Sequence, residues 1–168
     1  MHQPPEEERF KQNAIVMTKA LQTGLQKLKN EGHNVDLTVV TMASALVVGF
    51  DSHYLIREFI KKSHAKCWDK INARDEDFFV ENAASIFEYL PNDNVNLFKD
   101  LYLTKDIHGN NVVAQSLKNQ IWSLFDAMIK ISIKYIHKHR KMVDGCYTEP
   151  FFDDVNIDHH INVWQCKV

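Results

Sequence analysis

One segment, residues 116–141, constrains the fold more than any other part of the sequence. Its apolar side chains, placed at roughly 100° per residue, fill an arc of about 200°, about twice the width of the stripe on an ordinary surface helix. The side chains in this arc are Ile121, Leu124, Phe125, Met128, Ile129, Ile131, Ile133, Tyr135 and Ile136. A helix with so wide an apolar arc needs neighbours on several sides. The segment therefore predicts a central, buried helix of a helical bundle.

The other segments also show helical periodicity. Two prolines and three glutamates open a predicted helix over 5–30, because carboxylates suit the free N–H groups of a first helical turn. Apolar residues at steps of three or four continue over 52–71, over 75–90 (ended by Pro91) and over 92–101. With 168 residues and few glycines and prolines, the chain is expected to form an all-α, single-domain helical bundle.

The segment 37–50 is apolar on nearly every side and carries no charge. Asp36 can cap a helix there, but the valines and threonines that follow also suit a strand, so the type of element stays open. As a helix, the segment would be either fully buried or part of an interface. It falls short of the roughly 20 residues that cross a bilayer, and no membrane insertion is expected.

Composition narrows the function classes. The net charge of −2 does not favour a dedicated nucleic-acid binder, which usually shows a basic excess. Three cysteines are too few for a disulfide framework and fit a reducing compartment. The acidic, proline-containing N-terminus is unlike a signal peptide. These features predict an intracellular, cytoplasmic protein.

A basic stripe on the central helix supports one alternative function. Lys130, Lys134, His137 and Lys141 follow steps of 4, 3 and 4 and so share one helix face, which suits contact with phosphates. The same pattern is typical of a solvated face with cations near a helix C-terminus. A nucleic-acid-associated protein that uses this face is therefore the alternative, but not the favoured, hypothesis.

The C-terminal residues differ from the rest in composition. Gly145 and Pro150 predict that the chain leaves the helix and runs extended, which divides it into a bundle domain, 1–144, and a C-terminal arm, 145–168. The arm has too much apolar area to remain free of contacts, and it is expected to pack on the bundle or on a partner. Its apolar residues are Phe151, Phe152, Val155, Ile157, Ile161, Val163 and Trp164.

The same region holds the candidate zinc ligands Cys146, His159, His160 and Cys166. Structural zinc sites usually show two short-spaced ligand pairs, because one turn can then present both ligands. Adjacent histidines in an extended segment point to opposite sides, and the two cysteines stand apart from each other. Zinc binding is kept as a second alternative, but no metal ligand and no cofactor is assigned.

The sequence contains no nucleotide-binding, nucleophile-elbow or zinc-protease motif, and its five glycines are scattered. His64 and Cys67 stand one helical turn apart, but no oxyanion site or orienting partner accompanies them. No catalytic residue is assigned, and a non-enzymatic protein is expected.

Three stretches, "INARDEDFFVENAASIF" (71–87), "NVNLFKDLYLTKD" (94–106) and "IWSLFDAMIKISIKYI" (121–136), carry a resemblance. Together they resemble small helical proteins encoded by large eukaryotic (nucleocytoplasmic) DNA viruses. The resemblance implies a virus-encoded protein found in the host cytoplasm or the virion, and it transfers no activity to particular residues.

The leading hypothesis is a non-enzymatic protein–protein interaction or assembly protein, such as a viral structural or host-interaction protein, that forms a homo-oligomer. Its predicted partner-binding residues come from the segment 37–50 and the C-terminal arm, and they are Val39, Leu46, Phe50, Phe151, Phe152 and Trp164. An apolar arm can lie in a groove on another subunit, so removing the chain after Asp144 is expected to reduce self-association.

Overall fold

The computed structural model describes residues 3–82, 92–140 and 150–168. Over these residues it contains eight α-helices, one short 3-10 helix and no β-strand, so the prediction of an all-α fold is confirmed. The helices are α1 (Glu6–Asn30), α2 (Thr38–Gly49), α3 (Ser52–Ser63), α4 (Trp68–Asn72), α5 (Glu76–Glu81), α6 (Asn92–Leu103), α7 (Gln115–His139) and α8 (Ile157–Trp164), with the 3-10 helix at Pro150–Asp154. The predicted helix over 75–90 corresponds to α5 in its first part, and the rest lies outside the described residues.

The predicted central helix is α7, and most of its apolar arc is buried. α1 packs along it, α3 packs on α1, and α4 and α8 also pack on α7. Ser132 lies in the middle of this arc with no exposed surface, and its Oγ donates to the Met128 carbonyl oxygen at 2.8 Å. That bond satisfies a polar group that would otherwise be costly to bury.

α1 has the predicted apolar stripe, and Phe10, Ala14, Met17 and Leu28 are buried. The helix ends where Gly32 adopts a φ of +96°, and the His33 amide then donates to the Leu28 carbonyl oxygen at 3.1 Å. A residue with a Cβ is strained in this left-handed conformation, which explains why a glycine stands at this turn.

The segment 37–50 forms a helix, which settles the choice between helix and strand. An aspartate precedes each of the two consecutive helices: Asp36 Oδ1 accepts from the Thr38 amide at 2.9 Å, and Asp51 Oδ2 accepts from the Tyr54 amide at 3.1 Å. These carboxylates satisfy amides that have no partner within their own helix. α2 is not fully buried, because α1 packs along only one side of it.

The C-terminal residues correct the prediction of an extended arm. Residues 150–154 form the 3-10 helix, and α8 follows, with Asn156 Oδ1 accepting from the His159 amide at 3.3 Å. Apolar residues at 157, 161 and 164 recur at helical spacing. With an asparagine cap before them, this spacing favours a helix over the extended conformation. Gly145, on which the extended prediction partly depended, lies outside the described residues.

None of the described helices combines the length and the apolar character that a bilayer-spanning helix needs.

Candidate interaction surface

The outer face of α2 is the largest run of exposed apolar side chains on one described helix. We define the α2 surface as the exposed residues of this face that do not contact α1, together with the residue that follows the helix: Thr38, Met42, Ala45, Leu46, Val48, Gly49 and Phe50. The exposed fractions of Met42, Leu46 and Val48 are 59%, 55% and 55%. Several large apolar side chains exposed on one helix typically mark a site of interaction.

α2 contacts the rest of the bundle through polar as well as apolar side chains. Its contacts with α1 include two polar pairs, since Thr18 Oγ1 lies 3.4 Å from Ser44 Oγ and Gln22 Nε2 donates to Thr41 Oγ1 at 3.2 Å. Val47 is the apolar α2 residue that packs against the main core from this side. A surface helix normally turns apolar residues inward and polar residues outward. α2 instead exposes apolar side chains that its own bundle does not cover.

A charged residue stands at each end of the α2 surface. The exposed Asp36 precedes the first turn of α2. The hydrogen bond that its carboxylate accepts from the Thr38 amide lowers the pKa of the Asp36 carboxyl group. Lys11 of α1 stands at the other end and donates from Nζ to the Phe50 carbonyl oxygen at 2.7 Å. The Phe50 ring lies 5.3 Å from the half-exposed Tyr54 ring and extends the apolar surface beyond the helix.

Two of the six predicted partner-binding residues, Leu46 and Phe50, lie on the α2 surface. Phe152 and Trp164 are buried in the main core of their own chain, with exposed fractions of 0% and 4%, and that they bind a partner stays a prediction. Both side chains belong to the main apolar core, where the Phe152 ring contacts the Tyr135 ring of α7. The side chains of Val39 and Phe151 are not among those that the structure describes.

The predicted phosphate-binding stripe is only partly at the surface. Lys130 and His137 are exposed, Lys134 is half-buried, and Lys141 lies outside the described residues. Burial raises the pKa of the Cys166 thiol, and the nearby ammonium groups of Lys130 and Lys134 oppose this rise. The C-terminal residues therefore come close to this face of α7.

The two C-terminal histidines lie together, unlike the prediction from an extended segment. Both belong to α8 and approach Asp69 of α4: His159 Nε2 is 3.0 Å from Asp69 Oδ2, and His160 Nδ1 is 3.8 Å from Asp69 Oδ1. Helical backbone turns successive side chains by about 100° rather than 180°, so neighbouring histidines can face one carboxylate. Burial lowers the pKa of His160, and the Asp69 charge opposes this shift.

Sequence reasoning missed Asp69, because no local pattern connects residue 69 with residue 159. Of the two candidate cysteine ligands, Cys146 lies outside the described residues, and Cys166 is not part of the Asp69, His159 and His160 group.

Cys67 has the environment of a structural cysteine. It is 4% exposed, its Sγ donates to the Ser63 carbonyl oxygen at 3.4 Å, and burial raises the pKa of its thiol to about 11. The reactive form of cysteine is the thiolate, which this environment disfavours.

No known protein family, curated protein or solved structure matches the chain. The resemblance to viral helical proteins therefore stays a prediction.

Proposed function

We propose that the protein is a non-enzymatic assembly protein that self-associates through the α2 surface. The observation that supports this proposal is the exposure of Met42, Leu46 and Val48 on a helix face that carries no charge. Each Å² of apolar surface removed from water contributes about 25 cal/mol, so covering these side chains stabilises a complex. A charged or polar side chain at any of these positions would keep the face soluble at little cost to the fold.

A second copy of the chain is the partner that this surface suits best. A two-fold axis places the same patch on both subunits, and an uncharged apolar face is complementary to itself without any charge pattern. The ends of the face favour an antiparallel arrangement of the two α2 helices. In that arrangement the exposed Asp36 of one copy approaches the end that carries Lys11 in the other, and opposite charges meet.

The size of the surface limits the strength of this association. A stable, specific interface buries roughly 800 Å² on each partner, which is about 20 to 30 residues. The α2 surface has fewer residues, even with the Tyr54 side chain at its edge. We therefore expect a dimer that dissociates on dilution, as in proteins whose assembly responds to concentration.

Sedimentation velocity over a range of protein concentrations tests the proposal. We expect the wild-type chain to shift from monomer to dimer as concentration rises. Leu46→Glu should remain monomeric, because dimerisation would bury its carboxylate without a partner. Leu103→Glu is the matched control, since Leu103 is also a helical leucine with an exposed fraction of 55% but lies in α6.

The control should dimerise like the wild-type chain. A wild-type chain that stays monomeric at all concentrations would contradict the proposal. Equal loss of the dimer in both variants would also contradict it, because it would show that the effect is not specific to α2. Circular dichroism checks that both exposed substitutions leave the helical fold intact.

A further inference from the structure

Three polar side chains from two distant parts of the chain converge beside the main core. Asp69 belongs to α4, while His159 and His160 belong to α8, and one ligand atom of each lies within 4.8 Å of the others. His159 Nε2 is 3.1 and 3.0 Å from the two Asp69 carboxylate oxygens. The group is separate from the α2 surface.

The buried histidine of this group has no partner for one of its ring nitrogens. The His160 side chain is 6% exposed, and its Nδ1 is buried without a hydrogen bond. The nearest carboxylate oxygen, Asp69 Oδ1, is 3.8 Å away and beyond hydrogen-bond reach. Leaving a buried polar atom without a hydrogen bond destabilises the fold, so an atom of this kind calls for an explanation.

An ion pair between His159 and Asp69 explains only part of the arrangement. It accounts for the two short distances to His159 Nε2, but it leaves His160 Nδ1 without a function although this atom faces the same carboxylate. A cation between the three side chains accounts for all three at once.

We infer that Asp69, His159 and His160 bind a divalent transition-metal ion of the Zn²⁺ class. Two imidazoles and a carboxylate suit Zn²⁺ and its first-row neighbours, whereas Ca²⁺ and Mg²⁺ prefer oxygen ligands alone. Zinc–nitrogen bonds of about 2.0–2.1 Å in a tetrahedral site place the donor atoms about 3.3 Å apart. The present separations are 3.0 and 3.8 Å from Asp69 to the two histidines, and all three donor atoms lie within 4.8 Å of one another.

The protein holds the three ligands on rigid supports. Trp68, next to Asp69, has no exposed surface, and its Nε1 donates to Ser63 Oγ at 2.8 Å. The Trp68 ring meets the His160 ring edge to face at 4.9 Å and fixes its orientation. The Asn156 cap and the buried Trp164 secure the two ends of α8. Contacts that hold the ligand side chains in place strengthen metal binding.

The site is open on one side. Asp69 and His159 retain side-chain exposed fractions of 57% and 43%, so a fourth coordination position faces solvent. Three protein ligands and one open position are typical of sites that also hold water or a further ligand. The bound ion joins α8 to α4 and so fastens the C-terminal segment to the bundle.

Metal titration of the full chain after treatment with a chelator tests the inference. We expect Zn²⁺ to bind with a stoichiometry of one ion per chain in isothermal titration calorimetry, and Zn²⁺ to raise the melting temperature. Asp69→Asn and His160→Gln should each weaken binding at least tenfold. Asp158→Asn is the matched control, because Asp158 is an exposed carboxylate of α8 outside the group, and it should bind as the wild-type chain does.

Asp69→Asn is the decisive variant, since Asp69 is exposed and the substitution keeps its size. A melting curve in EDTA checks that this variant folds. Equal affinity in Asp69→Asn and the wild-type chain would overturn the inference, as would an equal loss in Asp158→Asn. A thiolate-to-metal band in the ultraviolet spectrum of the Co²⁺ form would also overturn it, because it would assign the metal to cysteines.

Discussion

At the scale of single residues, a polar cluster stands at the end of the bundle where α1, α3 and α7 meet. His53 Nδ1 lies 3.0 Å from the Tyr135 hydroxyl, and His53 Nε2 lies 3.3 Å from Glu7 Oε1. The His139 ring lies 4.2 Å from the Tyr135 ring, and its Nε2 is buried without a hydrogen bond. Burial penalises the charged imidazolium and lowers the pKa of His139 below its usual value.

This environment makes stability depend on pH in a defined direction. Glu7 and Glu6 favour the charged form of His139, and Lys138 and His53 oppose it, but burial is the largest effect and lowers the pKa. The unfolded chain therefore binds more protons than the folded chain just below pH 6.5, the usual histidine pKa. The contribution of neutral His139 to the free energy of unfolding is fully present above that pH, and it is lost as the pH falls towards the lowered pKa.

We expect His139→Leu to reduce the loss of stability between about pH 7 and about pH 5.5. Urea denaturation at each pH, with the free energy of unfolding compared between variant and wild type, measures the effect. His137→Leu, at an exposed position of the same helix, is the control and should keep the wild-type pH dependence. An unchanged pH dependence in His139→Leu would show that His139 is not a source of it.

At the scale of secondary-structure elements, the C-terminal segment is part of the main core. Phe152, Val155, Ile157 and Trp164 all have exposed fractions of 5% or less. The Phe152 ring meets the Tyr135 ring of α7 edge to face at 6.0 Å. The segment thus completes the bundle of its own chain, and its removal is expected to destabilise the fold directly.

Phe152→Ala should lower the free energy of unfolding by about 3–5 kcal/mol, because it removes a fully buried aromatic ring and leaves a cavity. Urea denaturation monitored by circular dichroism gives the value. Ile107→Ala, at a position that is 95% exposed, should change stability by less than about 0.5 kcal/mol. A Phe152→Ala variant as stable as this control would show that the segment does not belong to the core.

The longer helices could be predicted from the sequence, and a short helix could not. α1 and α7 could be predicted because each repeats one pattern for 25 residues, and the apolar pattern predicted from residue 52 agrees with the start of α3 at Ser52. α8 was missed because it has only eight residues and follows a glycine, a proline and two aspartates, which favour a break. The Asp69, His159 and His160 group could not be predicted, since it depends on a contact between residues 90 positions apart.

At the scale of the whole molecule, the bundle covers its own core and leaves the α2 surface exposed. The C-terminal segment, the other source of predicted partner contacts, is occupied within the chain. Under the proposed self-association, a second copy would cover Leu46 and the other exposed apolar residues of this surface. Charges at the two ends of α2 favour one orientation of that copy.

Oxidative cross-linking of an Ala45→Cys variant tests this account most directly. Ala45 lies near the middle of the α2 surface, and an antiparallel pair of α2 helices brings the two introduced cysteines close to the two-fold axis. A disulfide forms only when the Cα atoms come within about 4.4–6.8 Å.

Two controls are needed. The wild-type chain shows how fast the native cysteines cross-link, and Leu103→Cys shows how fast an exposed thiol elsewhere on the protein does. If the chain self-associates through the α2 surface, Ala45→Cys forms a covalent dimer faster than both controls, and adding Leu46→Glu removes this difference in rate. Cross-linking of Ala45→Cys no faster than that of Leu103→Cys would contradict this proposal.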